Sequence, residues 1–210
     1  MADYTFFFNP MSRAQIARWA LHEVGADYDP VFVPMDNKPP ALMNANPMGK
    51  LPTIIHHMKD GDHVVTEAAA ICHYLADAEA SALLPNDAEK ADYFRWLFFA
   101  AGPVETAVSA KAMDFDTGDD LKKRMTVGWG SYDQVIDTLD QHFTTHDFVC
   151  GSRFTMADVY VGSQIDWGLQ FSSMPDRASF LAYADRLRSR EAYDAAKAID
   201  MKLIGEMQQG

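Results

Sequence analysis

Strand-forming sequence is confined to the first third of this chain, and nearly everything after it is helical in pattern. The run Tyr4-Thr5-Phe6-Phe7-Phe8 is aromatic and apolar, as in a buried strand, and Asn9-Pro10-Met11-Ser12 breaks it. Ile16, Trp19, Ala20 and Val24 then recur at helical spacing, with Gly25 as the stop. Residues 28–34 read as a second strand, and residues 36–45 as irregular or a short helix. Two further strands, over 51–57 and 63–65, are joined by the turn Lys59-Asp60-Gly61-Asp62, and a helix follows over 67–78. An order of β-α-β, α, hairpin and helix predicts a small α/β domain over residues 1–80. Residues 81–87 read as a linker, and 88–210 as an all-α domain. Within it the pattern predicts long helices over 88–113 and 120–145 and shorter ones over 179–188 and 191–199. Thr155-Met156-Ala157-Asp158 is a capping box, with Phe154 placed to staple onto the first turn.

Two segments of the first domain carry the chemistry. In Asn46-Pro47-Met48-Gly49-Lys50-Leu51-Pro52-Thr53-Ile54 a turn runs into an apolar strand through a proline. Pro52 cannot donate to a ladder, so it starts a strand, lies on an edge or bends the chain, in the usual setting for a cis peptide. In Val64-Val65-Thr66-Glu67-Ala68-Ala69-Ala70-Ile71-Cys72-His73-Tyr74-Leu75 a strand ends and a helix begins with an acid in its first turn. A helix start offers unpaired N–H groups and a partial positive charge that can hold a carboxylate. Together the two segments suit an extended, zwitterionic small molecule.

The composition narrows the partners. With 48% hydrophobic and 23% charged residues the chain has the balance of a soluble globular protein. No apolar run approaches the roughly 20 residues that span a bilayer, and the N-terminus carries no secretory signal pattern. A cytoplasmic location is the expectation. A net charge of −12 argues against nucleic acid and anionic membranes as partners. Cys72 and Cys150 are spaced neither as a redox pair nor as a metal knuckle, and two reduced thiols are expected. His56, His57 and His63 read as surface histidines, because adjacent strand residues face opposite ways. His142 and His146 have the i, i+4 spacing of two ligands but no accompanying catalytic pattern, so no metal is expected.

Three motifs in order resemble the glutathione transferase family. The Asn46–Pro52 stretch is similar to that family's loop before a cis-proline. Glu67-Ala68-Ala69-Ala70-Ile71-Cys72-His73-Tyr74-Leu75 resembles its acid-serine helix, and Phe148-Val149-Cys150-Gly151-Ser152-Arg153-Phe154-Thr155-Met156-Ala157-Asp158 its helical-domain capping segment. Bacterial-type members are nearest, since Asn9-Pro10-Met11-Ser12-Arg13 stands where better-known animal enzymes have a tyrosine. The resemblance implies a thioredoxin-like N-terminal domain, an all-α C-terminal domain, and a homodimer. It also implies glutathione as co-substrate, its thiol activated for attack on a small hydrophobic electrophile. A glutathione-dependent peroxide or disulfide reductase uses the same site, and a non-catalytic binding or scaffold protein would keep the fold alone.

Carried onto this chain, the resemblance places the glutathione cysteine against the backbone of Leu51 beside Pro52, and Lys50 near the glycine carboxylate. Glu67 and the N–H of Ala68 would take the γ-glutamyl end. Ala68 departs from the family's serine, which removes a hydroxyl bond to a charged group worth about 1.5–3 kcal/mol. Lowering the thiol pKa by about two units needs roughly 2.7 kcal/mol, which one donor and a helix N-terminus can supply. Ser12, at the entry to the first helix, is the first candidate donor, with plain helix capping as its other reading. Asn9 is the second, and Tyr4 lies further up the strand. The electrophile would sit between Met11 and the first long helix of the second domain, with Phe98, Phe99, Pro103, Val104 and Met113 as possible liners.

Overall fold

In the computed structural model, which describes residues 2–209, the chain forms two compact units. One holds the chain up to Leu84 together with the residues from Ser189 onward, and the other is Pro85–Arg188.

The first unit is built on a four-stranded sheet of order β2-β1-β3-β4. Strand β1 (Tyr4–Phe8) pairs in parallel with β2 (Tyr28–Phe32), and helix α1 (Ala14–Val24) supplies the crossover that parallel pairing needs. Pro30 is tolerated because β2 is an edge strand. On its other side β1 runs antiparallel to β3 (Thr53–Met58), which continues through Lys59 and Asp60 into β4 (Gly61–Thr66). The hairpin turn is thus two residues long, and Gly61 and Asp62, expected in the turn, already lie on β4. Phe7 faces Val33 and Leu42, the latter from the short helix α2 (Pro40–Ala45). Tyr4, Phe6, Phe8 and Ile54 are buried too, as alternation around Phe7 requires. Helix α1 ends as expected at Gly25, whose φ of 69° suits a residue without a Cβ. It packs against α3 (Ala68–Ala78) and against the long helix α10 (Glu191–Met207).

The sequence pattern groups residues 191–199 with the helical part of the chain, whereas the contacts group α10 with the sheet. The α1–α10 seam is largely polar. Arg18 donates to Asp200 Oδ1 at 3.0 Å and to the Tyr28 hydroxyl at 3.1 Å, with its guanidinium 4.4 Å from the Phe8 ring centroid. Arg190 clasps Glu23 through two bonds of 2.7 and 2.6 Å, and Trp19 meets Tyr193 edge-to-face.

The second unit is all helical. Where the pattern predicts one helix over 88–113, the structure has α4 (Lys90–Phe99), a π-turn over Ala100–Val104, and α5 (Glu105–Ala112). Pro103 lies inside the π-turn, where its missing N–H and ring disturb the α ladder. The helix expected over 120–145 is also divided, into α6 (Leu121–Thr126) and α7 (Tyr132–Thr145). Gly128 and Gly130 fall in the gap, and Ser131 restarts the helix by accepting from the Gln134 N–H. Helix α8 (Met156–Gln170) begins at the capping box and forms the core of the unit, against α9 (Ala178–Arg188). A Cβ at Gly162 would lie 2.2 Å from Leu187 Cδ1, so any other residue there would force the Leu187 side chain to move. No helix among the described residues is long and apolar enough to cross a membrane.

Candidate functional site

The register of the sheet gathers three chain segments at one end. Phe7 pairs with Thr53 and Thr53 with Thr66, so Asn9 just past β1, Pro52 just before β3 and Glu67 just past β4 lie side by side. Tyr4 starts β1 at the opposite end. Its hydroxyl donates to Glu79 at 2.6 Å, and burial pushes its pKa far up.

The Leu51–Pro52 peptide is cis. The loop leading to it is braced by two buried polar residues, Asn46 and Thr53. The Asn46 amide donates to Lys50 O and Thr53 Oγ1, both at 3.1 Å, and its Oδ1 accepts from the Met48 N–H. Thr53 Oγ1 donates to the same Lys50 carbonyl. With the Lys50 carbonyl so engaged, the N–H and C=O of Leu51 make no hydrogen bond among the described residues. They border a cavity of about 490 Å³ whose walls include Ser12, Arg13, Lys38, Lys50 and Leu51. Arg13 and Lys38 were not singled out in the sequence, since cations in loops carry no pattern of their own. They make this wall basic within an acidic chain.

Asn9 is fully buried and structurally committed. Its Nδ2 donates to Val33 O and its Oδ1 accepts from the Met11 N–H, each at 2.9 Å. Ser12 is half-buried and lines the cavity; its hydroxyl donates to Asn9 O at 2.7 Å and accepts from the Ala14 N–H at 3.2 Å. A further brace reaches this loop from α10, where Lys197 donates to Gln15 Oε1 at 2.7 Å and Gln15 donates to Pro10 O at 2.5 Å.

Glu67 and Ala68 stand at the same end of the sheet but not on the cavity wall. Glu67 caps α3 with φ 66° and ψ 113°, leaving its carboxylate exposed. The N–H groups of Ala68, Ala69 and Ala70 have no partner among the described residues, as at any helix start. In the second unit, Val104 is core, whereas Phe98 and Met113 are exposed.

Both cysteines are free thiols, and burial raises both pKa values, that of Cys150 to about 11. His57 bonds Asp62, His63 bonds Asp60, and His56 bonds the Tyr74 hydroxyl. Among the described residues no group of three or more His, Cys, Asp or Glu could hold a metal ion.

Residues 10–78 match the family described as glutathione S-transferase, N-terminal domain. Glutathione S-transferase GstA of Escherichia coli O157:H7 is 25% identical over 207 residues, covering 93% of this chain and 98% of that one. Elongation factor 1-gamma of Artemia salina is 29% identical over 126 residues. That alignment covers 60% of this chain but only 28% of the elongation factor, so the chain spans less than a third of that relative. The theta class glutathione S-transferase of Xanthomonas axonopodis pv. citri, solved with glutathione bound, superposes with a TM-score of 0.72 at 26% identity. The superposition covers 93% of this chain and 97% of that one. A domain match on residues 10–78, a full-length relative and a shared fold agree with one another: the sheet unit matches the glutathione S-transferase N-terminal domain, and the chain as a whole is similar to glutathione transferases in sequence and fold.

Proposed function

We propose that the chain binds glutathione at this end of the sheet and activates its thiol as a thiolate, for transfer to a small hydrophobic electrophile. The observation that carries the reading is the unpaired N–H and C=O of Leu51 on the wall of a basic cavity that also holds the Ser12 hydroxyl. An extended peptide can pair with such a backbone as an added strand would. Lys50, with Lys38 and Arg13, suits the glycine carboxylate. The open N–H groups at the start of α3 suit the α-carboxylate of the γ-glutamyl end, and Glu67 its amine. A homodimer in the cytoplasm belongs to the same proposal.

Ser12 is the better thiolate donor. Both polar ends of Asn9 are engaged in holding the loop, whereas the Ser12 O–H need only turn from a carbonyl to a sulfur. It would exchange a neutral bond worth about 0.5–1.5 kcal/mol for one to an anion worth about 1.5–3. The net gain, about 1 kcal/mol, corresponds to somewhat under one pKa unit, and the start of α1 adds about 0.3–2 kcal/mol. Ser12→Ala is therefore expected to raise the pKa of bound glutathione by about one unit while leaving its affinity largely intact. Ultraviolet absorbance of the thiolate across a pH titration reads both. Asn9→Ala is expected instead to destabilise the protein by about 2–4 kcal/mol, since it strands the buried Val33 carbonyl and the Met11 N–H. Thermal unfolding of the ligand-free protein separates it from Ser12→Ala. If glutathione binds with its free thiol pKa, the transferase reading fails.

One observation favours a second reading, a protein that holds glutathione without activating it. The Ser12 hydroxyl already has an acceptor in Asn9 O, and the helix start lacks the family's serine at Ala68. Binding with an unshifted thiol pKa is its expected signature.

A further inference from the structure

The cavity bordered by Leu51 has methionine on every side. Met11 comes from the loop before α1, Met35 from the segment after β2, Met43 from α2, and Met48 from the loop before Pro52. Four separate stretches of chain thus contribute the same residue type to one small space. All four residues are exposed, with fractional exposures of 62, 53, 39 and 75% respectively. Met156 and Met174, by contrast, are core residues. Glutathione recognition of the kind proposed above does not call for thioethers, and leucine would fill the same volume.

Met43 is the one with a mechanical connection. A Cβ built on Gly49 would lie 3.0 Å from Met43 Sδ and 3.8 Å from its Cε, so the sulfur is seated closely under the Gly49 backbone. Gly49 has φ 59° and leads directly into Lys50 and Leu51. An oxygen added to that sulfur on its Gly49 side would press on the loop that carries the Leu51 backbone. The same oxygen would be a strong hydrogen-bond acceptor in a wall that holds Arg13, Lys38 and Lys50.

We propose that this methionine rim, with Met43 as its effective member, is a site of reversible oxidation by peroxides, and that sulfoxide formation there weakens glutathione binding. The inference rests on the proposed glutathione site. In the step, a sulfur lone pair attacks one peroxide oxygen, the O–O bond breaks and an S–O bond forms. Sulfur is oxidised by two electrons; hydrogen peroxide is reduced, leaving as water after proton transfer. Thiol-dependent sulfoxide reductases reverse the change, one for each sulfoxide epimer. Oxidation turns a flexible apolar side chain into a polar one, and here that side chain touches the segment that recognises the ligand.

The test uses the full chain, hydrogen peroxide as oxidant and reduced glutathione as ligand. Peroxide is removed before glutathione is added, sulfoxides are mapped by peptide mass spectrometry, and affinity is measured by calorimetry. Oxidised protein is expected to bind glutathione about tenfold more weakly, the scale of one displaced hydrogen bond to a charged group. Treatment with both sulfoxide reductases is expected to restore the affinity. Met43→Leu, a nearly volume-conserving change, is expected to bind normally and to keep its affinity after the same treatment, although other exposed methionines still oxidise. Unchanged affinity with Met43 fully oxidised, or equal loss in Met43→Leu, overturns the proposal. Failure of the untreated chain to bind glutathione overturns the underlying site reading, and this inference with it.

Discussion

Replacing Asp158 with Ala is expected to destabilise the second unit by about 3–5 kcal/mol, combining a lost helix cap with stranded buried donors. The carboxylate accepts four hydrogen bonds. Oδ2 takes the Thr155 N–H at 2.8 Å and the Thr155 hydroxyl at 3.0 Å, and Oδ1 takes the Val149 N–H at 2.7 Å and the Tyr183 hydroxyl at 2.8 Å. One side chain therefore closes the capping box, holds the chain leading into α8 and ties in α9. Asp158→Asn is informative beside it, because an amide NH₂ cannot accept and would face two donors. Both variants should lower the thermal midpoint strongly, Asn by at least as much as its small volume change would never suggest.

The same residue sets a pH dependence. Burial raises the Asp158 pKa to about 6, against the pull of its four donors toward the ionised form. The unfolded carboxyl titrates near 3.8. Between these two values the folded state holds more of the proton than the unfolded state does, so stability falls as pH rises through that window. The contribution is fully present below the unfolded value and gone above the folded one. Chemical denaturation from pH 4 to 7 is expected to show a decline of about 3 kcal/mol from this group, absent in Asp158→Asn. A wild-type slope equal to that of the variant would remove Asp158 as its source.

A comparable loss is expected on cutting the buried pair that fastens α10 to α1. The Arg18 and Asp200 side chains are each about 2% exposed, and Arg18 Nη2 and Asp200 Oδ2 are buried without a hydrogen-bond partner among the described residues. Burial raises the Asp200 pKa, while the neighbouring Arg18 charge opposes the rise. Arg18→Met leaves a lone buried carboxyl, and Asp200→Leu leaves a lone buried guanidinium; each should cost about 3–5 kcal/mol. The guanidinium variant should suffer more, since arginine cannot shed its charge whereas Asp200 can take up a proton. Replacing both together should recover most of the stability, because the pair is already incompletely hydrogen-bonded. Urea unfolding of the two single variants and the double variant completes the cycle. An additive double loss would mean that the pair is not the coupling element.

Much of the fold around the candidate site was legible because its signals are local. Pro52 marks the entrance to β3 by its own chemistry, Gly25 stops α1, and Thr155 with Asp158 writes a helix start in four residues. The breaks at Pro103 and at Gly128–Gly130 were also in view, yet amphipathic spacing on both sides suggested continuous helices. Side-chain commitments were less accessible. Nothing in the order Asn9-Pro10-Met11-Ser12 says that the Asn9 amide is spent on Val33, since that bond depends on the pairing of β1 with the end of β2. Arg18 lies between apolar neighbours on α1 and its partner is not evident from the sequence, since Asp200 is 182 residues away. The basic wall formed by Arg13 and Lys38, and the four methionines, come from separate loops that only the folded sheet assembles.

The seating of α10 on α1 has a consequence for the order of synthesis. A ribosome releases the sheet strands first and the whole of Pro85–Arg188 next, and only then the helix that covers Trp19 and neutralises Arg18. Until that helix emerges, α1 presents a buried-type cation and an aromatic face to water, so the part of the protein that is made first is the last to be finished. The second unit, contiguous in the chain, is free of that wait and can reach its final form while its neighbour is still incomplete.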